Sequence, residues 1–122
     1  MSDSAKYPTD MNFNADKPIY LQIADRICER ILSGELKGDD RIPSVREAGA
    51  EIGVNPNTMM RTYDKLLGDE ILYNKRGIGY FVAPDARKKV LSSQRESFLR
   101  EELPVIRRRM ELLGLDASIF ND

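Results

Sequence analysis

The chain has 122 residues, about enough for one domain and a small appendage. Charged residues make up 32% of it and the formal net charge is −1, so any nucleic-acid contact must rest on where particular groups sit and not on bulk charge. One cysteine, Cys28, and no histidine exclude intramolecular disulfides, zinc-finger ligand sets and every proton shuttle built on imidazole. No apolar run is long enough for a bilayer and the N-terminus lacks the layout of a signal peptide, so a cytoplasmic protein with no membrane contact is expected. The carboxylates form no evident acid/base pair and there is no glycine-rich phosphate loop. The sequence therefore points away from an enzyme and asks for no metal or cofactor.

Residues 1–16 mix Ser, Asp, Asn and Pro without periodicity and read as a flexible arm. Ile19, Ile23, Ile27 and Ile31 then recur every four residues, which predicts a helix over roughly 18–33 with Pro18 in its first turn and Gly34 as its stop. Cys28 lies on that helix between two isoleucines and reads as a small buried hydrophobe. Residues 36–43 form a connector with a turn at Gly38-Asp39-Asp40 and an extended Ile42-Pro43. Ser44 followed three residues later by Glu47 is a capping box and predicts a second helix, with Val45, Ala48 and Ile52 inward. Gly53 ends it, and Asn55-Pro56 caps and opens a third helix, whose inner face is Met59, Tyr63 and Leu66. Only three residues separate these helices, the tight turn of a helix-turn-helix.

Residues 71–75 and 80–82 are short β-prone runs around Arg76-Gly77-Ile78-Gly79, a β-hairpin. Three helices and a hairpin, in that order, predict a winged helix-turn-helix domain over 17–83. Residues 84–122 read as a short α-helical region for dimerisation, giving a mostly α protein with one small hairpin. In it Leu99, Leu103, Ile106, Met110 and Leu113 step by four and three, while Leu91, Phe98, Val105 and Leu112 form a second stripe beside them. Pro104 predicts a kink or two helices, roughly 85–102 and 104–113. So small an appendage cannot cover both stripes, and pairing with a second copy is expected. The region is also too short to enclose a sizeable ligand pocket, and the sequence specifies no small-molecule effector.

With its inner face buried, the third helix turns Asn57, Met60 and Arg61 outward and leaves Thr58 at the boundary. Such a face can lie in a major groove, where Asn57 and Arg61 meet base edges and Met60 meets a thymine methyl or a sugar. Backbone N–H groups beside Thr58 favour a phosphate oxygen. Ser44 and Arg46, at the start of the second helix, suit a second phosphate. Lys75, Arg76, Gly77 and Gly79 make a basic hairpin tip able to approach the backbone or the minor groove. Each feature alone is as well explained by capping or solvation; their order and spacing favour one DNA-binding face. Residues 17–83 hold ten Lys/Arg and ten Asp/Glu, a balance that would also permit a winged helix used only to bind protein.

P-I-Y-L-Q-I at 18–23, I-L-S-G-E-L at 31–36, R-I-P-S-V-R-E at 41–47, G-V-N-P-N-T-M-M-R-T-Y at 53–63 and R-G-I-G-Y-F-V at 76–82 resemble the GntR family of bacterial transcription regulators. The short helical region resembles the YtrA-like subfamily, whose members pair through C-terminal helices. The resemblance implies a DNA-binding regulator, a repressor acting as a homodimer on double-stranded operator DNA with two half-sites. It places Arg46, Asn55, Asn57, Thr58, Arg61 and Tyr63 at operator-contacting positions, and Gly77 and Gly79 at the wing tip. Three residues depart from the family pattern. Gly49 stands for the usual Ala, Glu70 for the Gly after the third helix, and Tyr80 for a common Thr.

Overall fold

The isoleucine repeat produces α1, Ile19–Leu32, in the computed structural model, which describes residues 17–121. The arm read over 1–16 lies outside the described residues. Ile23, Ala24, Ile27 and Ile31 are buried, while Ile19 is exposed at the helix start and Pro18 sits at the N-cap, just before the first turn. Cys28 is half-buried, and burial, with Asp25 and Asp69 adding to it, pushes its thiol up to about 11. A thiol so protonated is a poor nucleophile near neutral pH.

The connector contains a strand that its sequence did not announce. β1, Arg41–Ile42, pairs antiparallel with β3, Gly79–Val82, which pairs in turn with β2, Leu72–Lys75, to give the order β1-β3-β2. Arg41 lies opposite Phe81 and Tyr73 opposite the same residue on the other side. Tyr73 stacks on Phe81 at 5.6 Å and its hydroxyl donates to Asp39 at 2.7 Å, which fastens the sheet to the turn before β1.

α2, Val45–Ile52, has both arms of the expected capping box. Glu47 N–H donates to Ser44 Oγ at 3.1 Å and Ser44 N–H to Glu47 Oε1 at 3.0 Å. These bonds hold the exposed Glu47 carboxyl below its ordinary value of 4.5. A depressed carboxyl stabilises the fold above its unfolded value and loses that contribution as pH falls through the folded one. Glu47→Gln should therefore lower thermal stability at neutral pH and flatten its decline under acid. Melting curves between about pH 3 and 7 would reveal it, the window set by ordinary carboxyl titration.

α3, Pro56–Gly68, follows after the turn, with Asn55 as its cap. Gly49 belongs here: a Cβ on it would lie 2.9 Å from the Val54 carbonyl oxygen, so the two helices close this tightly because the residue is glycine. Met59, Thr62, Tyr63 and Leu66 are buried against α1 and α2. Buried Thr62 is satisfied, its hydroxyl lying 2.9 Å from the Tyr20 carbonyl and 3.2 Å from that of Thr58.

Glu70 takes up the left-handed backbone that the family's glycine would supply, at φ 61°. The entry to the sheet is thus kept, with Lys89 Nζ 3.2 Å from the Glu70 carboxylate and 3.4 Å from its carbonyl oxygen. The left-handed conformation costs a non-glycine residue about 1–2 kcal/mol, and an exposed ion pair returns little. After the added chain entropy of a glycine, Glu70→Gly should raise stability by about 0.5–1 kcal/mol in chemical denaturation. A loss of stability would mean that the Lys89 contact outweighs the strain.

The chain divides into two compact units, one through Val90 and one from Leu91. The first extends past the boundary read at residue 83, because Ala86 and Val90, in the first turns of α4 (Ala86–Ser97), are buried in its core. Arg87 Nε also donates to the Leu32 carbonyl at 3.1 Å. The second unit continues from α4 into one π-helical turn, Phe98–Glu102, then α5, Leu103–Leu112, and a 3₁₀ turn, Ala117–Phe120.

Candidate nucleic-acid interface

Tyr63 ties the parts of the interface together. It is 1% exposed, its hydroxyl donates to the Pro43 carbonyl at 2.6 Å, and its ring meets Tyr80 edge-on at 4.9 Å. One residue of α3 is thus joined to the residue before the Ser44 cap and to the strand that carries the wing. The operator contact assigned to Tyr63 is corrected accordingly: it is a core residue whose oxygen is committed, and it positions the contacting elements.

At the start of α2 the Ser44 side chain is occupied as a cap but keeps its own proton to donate. The amides of Val45 and Arg46 have no hydrogen-bond partner among the described residues. Arg46 is exposed and makes no ion pair among the described residues. Hydroxyl, two amides and a guanidinium there suit an anionic oxygen.

The start of α3 differs from its sequence reading. Pro56 has no N–H, that of Asn57 donates to Asn55 Oδ1 at 2.7 Å, and that of Thr58 donates to the Asn55 carbonyl at 2.9 Å. No amide is left over for a phosphate, so Thr58 could offer only its hydroxyl, and the Asn55 side-chain oxygen is spent on the cap. Asn57 and Arg61 are exposed and Met60 is 40% exposed, all on the outer face. Arg61 lies over the Tyr20 ring of α1, its Cζ 4.3 Å from the centroid.

The wing turn runs from Lys75 to Gly79, closed by Ile78 N–H to the Lys75 carbonyl at 2.9 Å. Gly77 has φ 77°. A Cβ on Gly79 would lie 3.1 Å from Arg41 Nε, and Arg41 Nη2 donates to the Ile78 carbonyl at 2.9 Å. Arg41 therefore braces the tip and adds charge beside Arg76. Sequence reading missed it, because nothing local marked residues 41–42 as a strand facing the wing. Lys75 is drawn to the Phe81 ring, 4.9 Å from its centroid, while Arg76 and Ile78 point outward at the tip.

A family model described as "Bacterial regulatory proteins, gntR family" matches residues 19–82. The chain belongs to the gntR family. It is similar to the uncharacterised transcriptional regulator YhcF of Bacillus subtilis, 41% identical over 87% of this chain and 86% of that one. A crystal structure of a GntR-family transcriptional regulator from Bacteroides thetaiotaomicron is 47% identical over 84% of this chain and 88% of that chain, with a TM-score of 0.65. The AraR DNA-binding domain in complex with operator ORX1 is 28% identical over 60% of this chain and 90% of that one, with a TM-score of 0.54. Several other relatives are named as repressors, YtrA of Bacillus subtilis among them. Some longer relatives match over less than a third of their own length. The family is one of DNA-binding transcription regulators, which leaves a purely protein-binding winged helix without support.

In this gntR-family chain the second unit has no buried residue among those described. The stripes read from the sequence kept α-helical spacing across the break expected at Pro104, and the π turn re-phases them. Leu103 N–H donates to the Phe98 carbonyl, five residues back, so Phe98 and not Leu99 lies one turn behind Leu103. Leu91 and Phe98 thereby join Leu103, Ile106 and Met110 in one stripe that ends near Leu113. Exposure follows the new phase. Leu91, Leu103 and Met110 are half-buried and Phe98 is 39% exposed, against 58% for Leu99 and 67% for Leu112. Pro104 gives the reason for the turn: in α geometry its ring would meet the Arg100 carbonyl and it has no N–H to offer.

Proposed function

We propose that the chain is a repressor that binds a two-half-site operator as a homodimer. Arg61, Asn57 and Met60 supply base contacts, and Ser44, Arg46 and the Lys75–Arg76–Gly77–Ile78–Gly79 tip hold the backbone. The observation that carries this reading is the hub at Tyr63, through which the α2 start, the α3 outer face and the wing are fixed to one another. The operator-bound AraR domain supports duplex DNA as the partner, and relatives named as repressors support the sign of regulation. The stripe from Leu91 to Leu113 supports pairing, since its apolar side chains, half-buried or exposed and none fully covered, call for a partner face at helical spacing.

The test separates base reading from phosphate holding. Arg61→Ala should cost about 1–3 kcal/mol of operator binding and relax preference at one position. Arg46→Ala should weaken all sequences alike and reduce the salt dependence by about one unit. Titration against operator variants at several salt concentrations distinguishes them. An Arg61→Ala protein with unchanged affinity and preference would show that α3 is not the reading helix.

A further inference from the structure

Arg61 is the outward cation nearer the start of α3, and its side chain does not stand free. Among the described residues it has no carboxylate partner; its contact is the Tyr20 ring. The backbone that carries that ring is anchored. The Tyr20 carbonyl accepts from buried Thr62, the neighbour of Arg61, so the first turn of α1 is fastened to α3 beside the arginine. Lys65, one turn further along α3, is engaged by Asp69 at 2.8 Å.

A guanidinium stacked on a ring uses its flat face, and its five N–H donors lie in the perpendicular plane, along its edge. In that arrangement the edge that would meet two acceptors of a guanine remains available while the long side chain loses its freedom in advance. We infer that Tyr20 is a specificity-determining positioning residue: its ring holds Arg61 in the orientation that reads the base, so α1 takes part in sequence choice without touching a base edge. This rests on the base-reading role proposed for Arg61. A solvated arginine in the same place would sample several rotamers and meet guanine and phosphate acceptors more evenly.

The experiment first obtains an operator by selecting from a randomised duplex pool with the full-length protein. Wild type, Arg61→Ala, Tyr20→Phe, Tyr20→Leu and the Tyr20→Leu/Arg61→Ala double variant are then titrated against it and against substitutions at every position, at matched salt. Tyr20→Leu should bind roughly two- to five-fold more weakly, as loss of an exposed cation–π contact would give. It should relax the same base position as Arg61→Ala and add nothing to that change in the double variant. Tyr20→Phe, which keeps the ring, should retain the wild-type preference. In the free wild-type protein the Arg61 Hδ protons should be shifted upfield by the ring, a readout that needs no variant to fold. Unshifted protons, independent losses in the double variant, or a Tyr20→Phe defect as large as that of Tyr20→Leu would each overturn the inference. If Arg61→Ala changes base preference and Tyr20→Leu does not, this inference alone fails. If Arg61→Ala changes nothing, the base-reading role fails and this inference with it.

Discussion

Cutting the chain after Val90 should leave a folded winged helix that has lost operator affinity by on the order of a hundredfold or more. The fragment keeps its core, because the cut spares Ala86 and Val90, both buried with Ile27, Tyr63, Leu66 and Val82. A cut at residue 84 would remove those two side chains and would confuse unfolding with loss of pairing. The affinity should fall because one domain with balanced charge gains little from counterion release beyond its few phosphate contacts. Tight binding then needs two reading heads on one scaffold, the second docking at high effective concentration. Full-length and cut proteins, titrated against a whole operator and a half-site at matched salt, should differ strongly on the first and little on the second. Equal affinity for the whole operator would remove pairing as the role of the second unit.

Tyr63→Ala should cost about 3–5 kcal/mol of folding stability, the range for emptying an aromatic site in a core. The more telling variant is Tyr63→Phe. It keeps the ring against Tyr80 and removes the donor to the Pro43 carbonyl at 2.6 Å, which should cost about 1–2 kcal/mol. At temperatures where the variant remains folded, its base preference should match the wild type. Its affinity should fall only as far as loosening of the α2 start requires. Denaturant titration and operator binding on the same preparation check both halves. Full stability combined with a large loss of affinity would return the hydroxyl to the list of DNA contacts.

Much of this was legible because helix punctuation is local chemistry. Ser44 with Glu47, and Asn55 with Pro56, announce α2 and α3 within four residues each, and both sets of bonds are formed. The wing turn was legible from its two glycines. β1 was not, because a two-residue strand has no periodicity and exists only through pairing with residues about forty positions on. The same distance hid Arg41. The phosphate site at the start of α3 failed for a subtler reason: the very cap that predicted the helix consumes its amides. Tyr20 was part of a recognised motif, but its stack with Arg61 joins two helices and is invisible to either one alone. The phase of the second unit's apolar stripe was not legible, because a fixed period was carried across a turn that does not keep it.

That turn also makes the proposed pairing face hereditary in an unusual way. A π turn is what an α-helix becomes when one residue is inserted and the segments on either side survive. Relaxing that turn to α geometry with every residue kept would swing everything beyond Glu102 by about 100°. Leu103, Ile106 and Met110 would then part company with Leu91 and Phe98 although every apolar residue was still present. A lineage could thus acquire a copy that no longer pairs with its parent, through a change that leaves the reading head untouched. Pro104 opposes that drift, since a uniform helix would have to carry a proline in its interior.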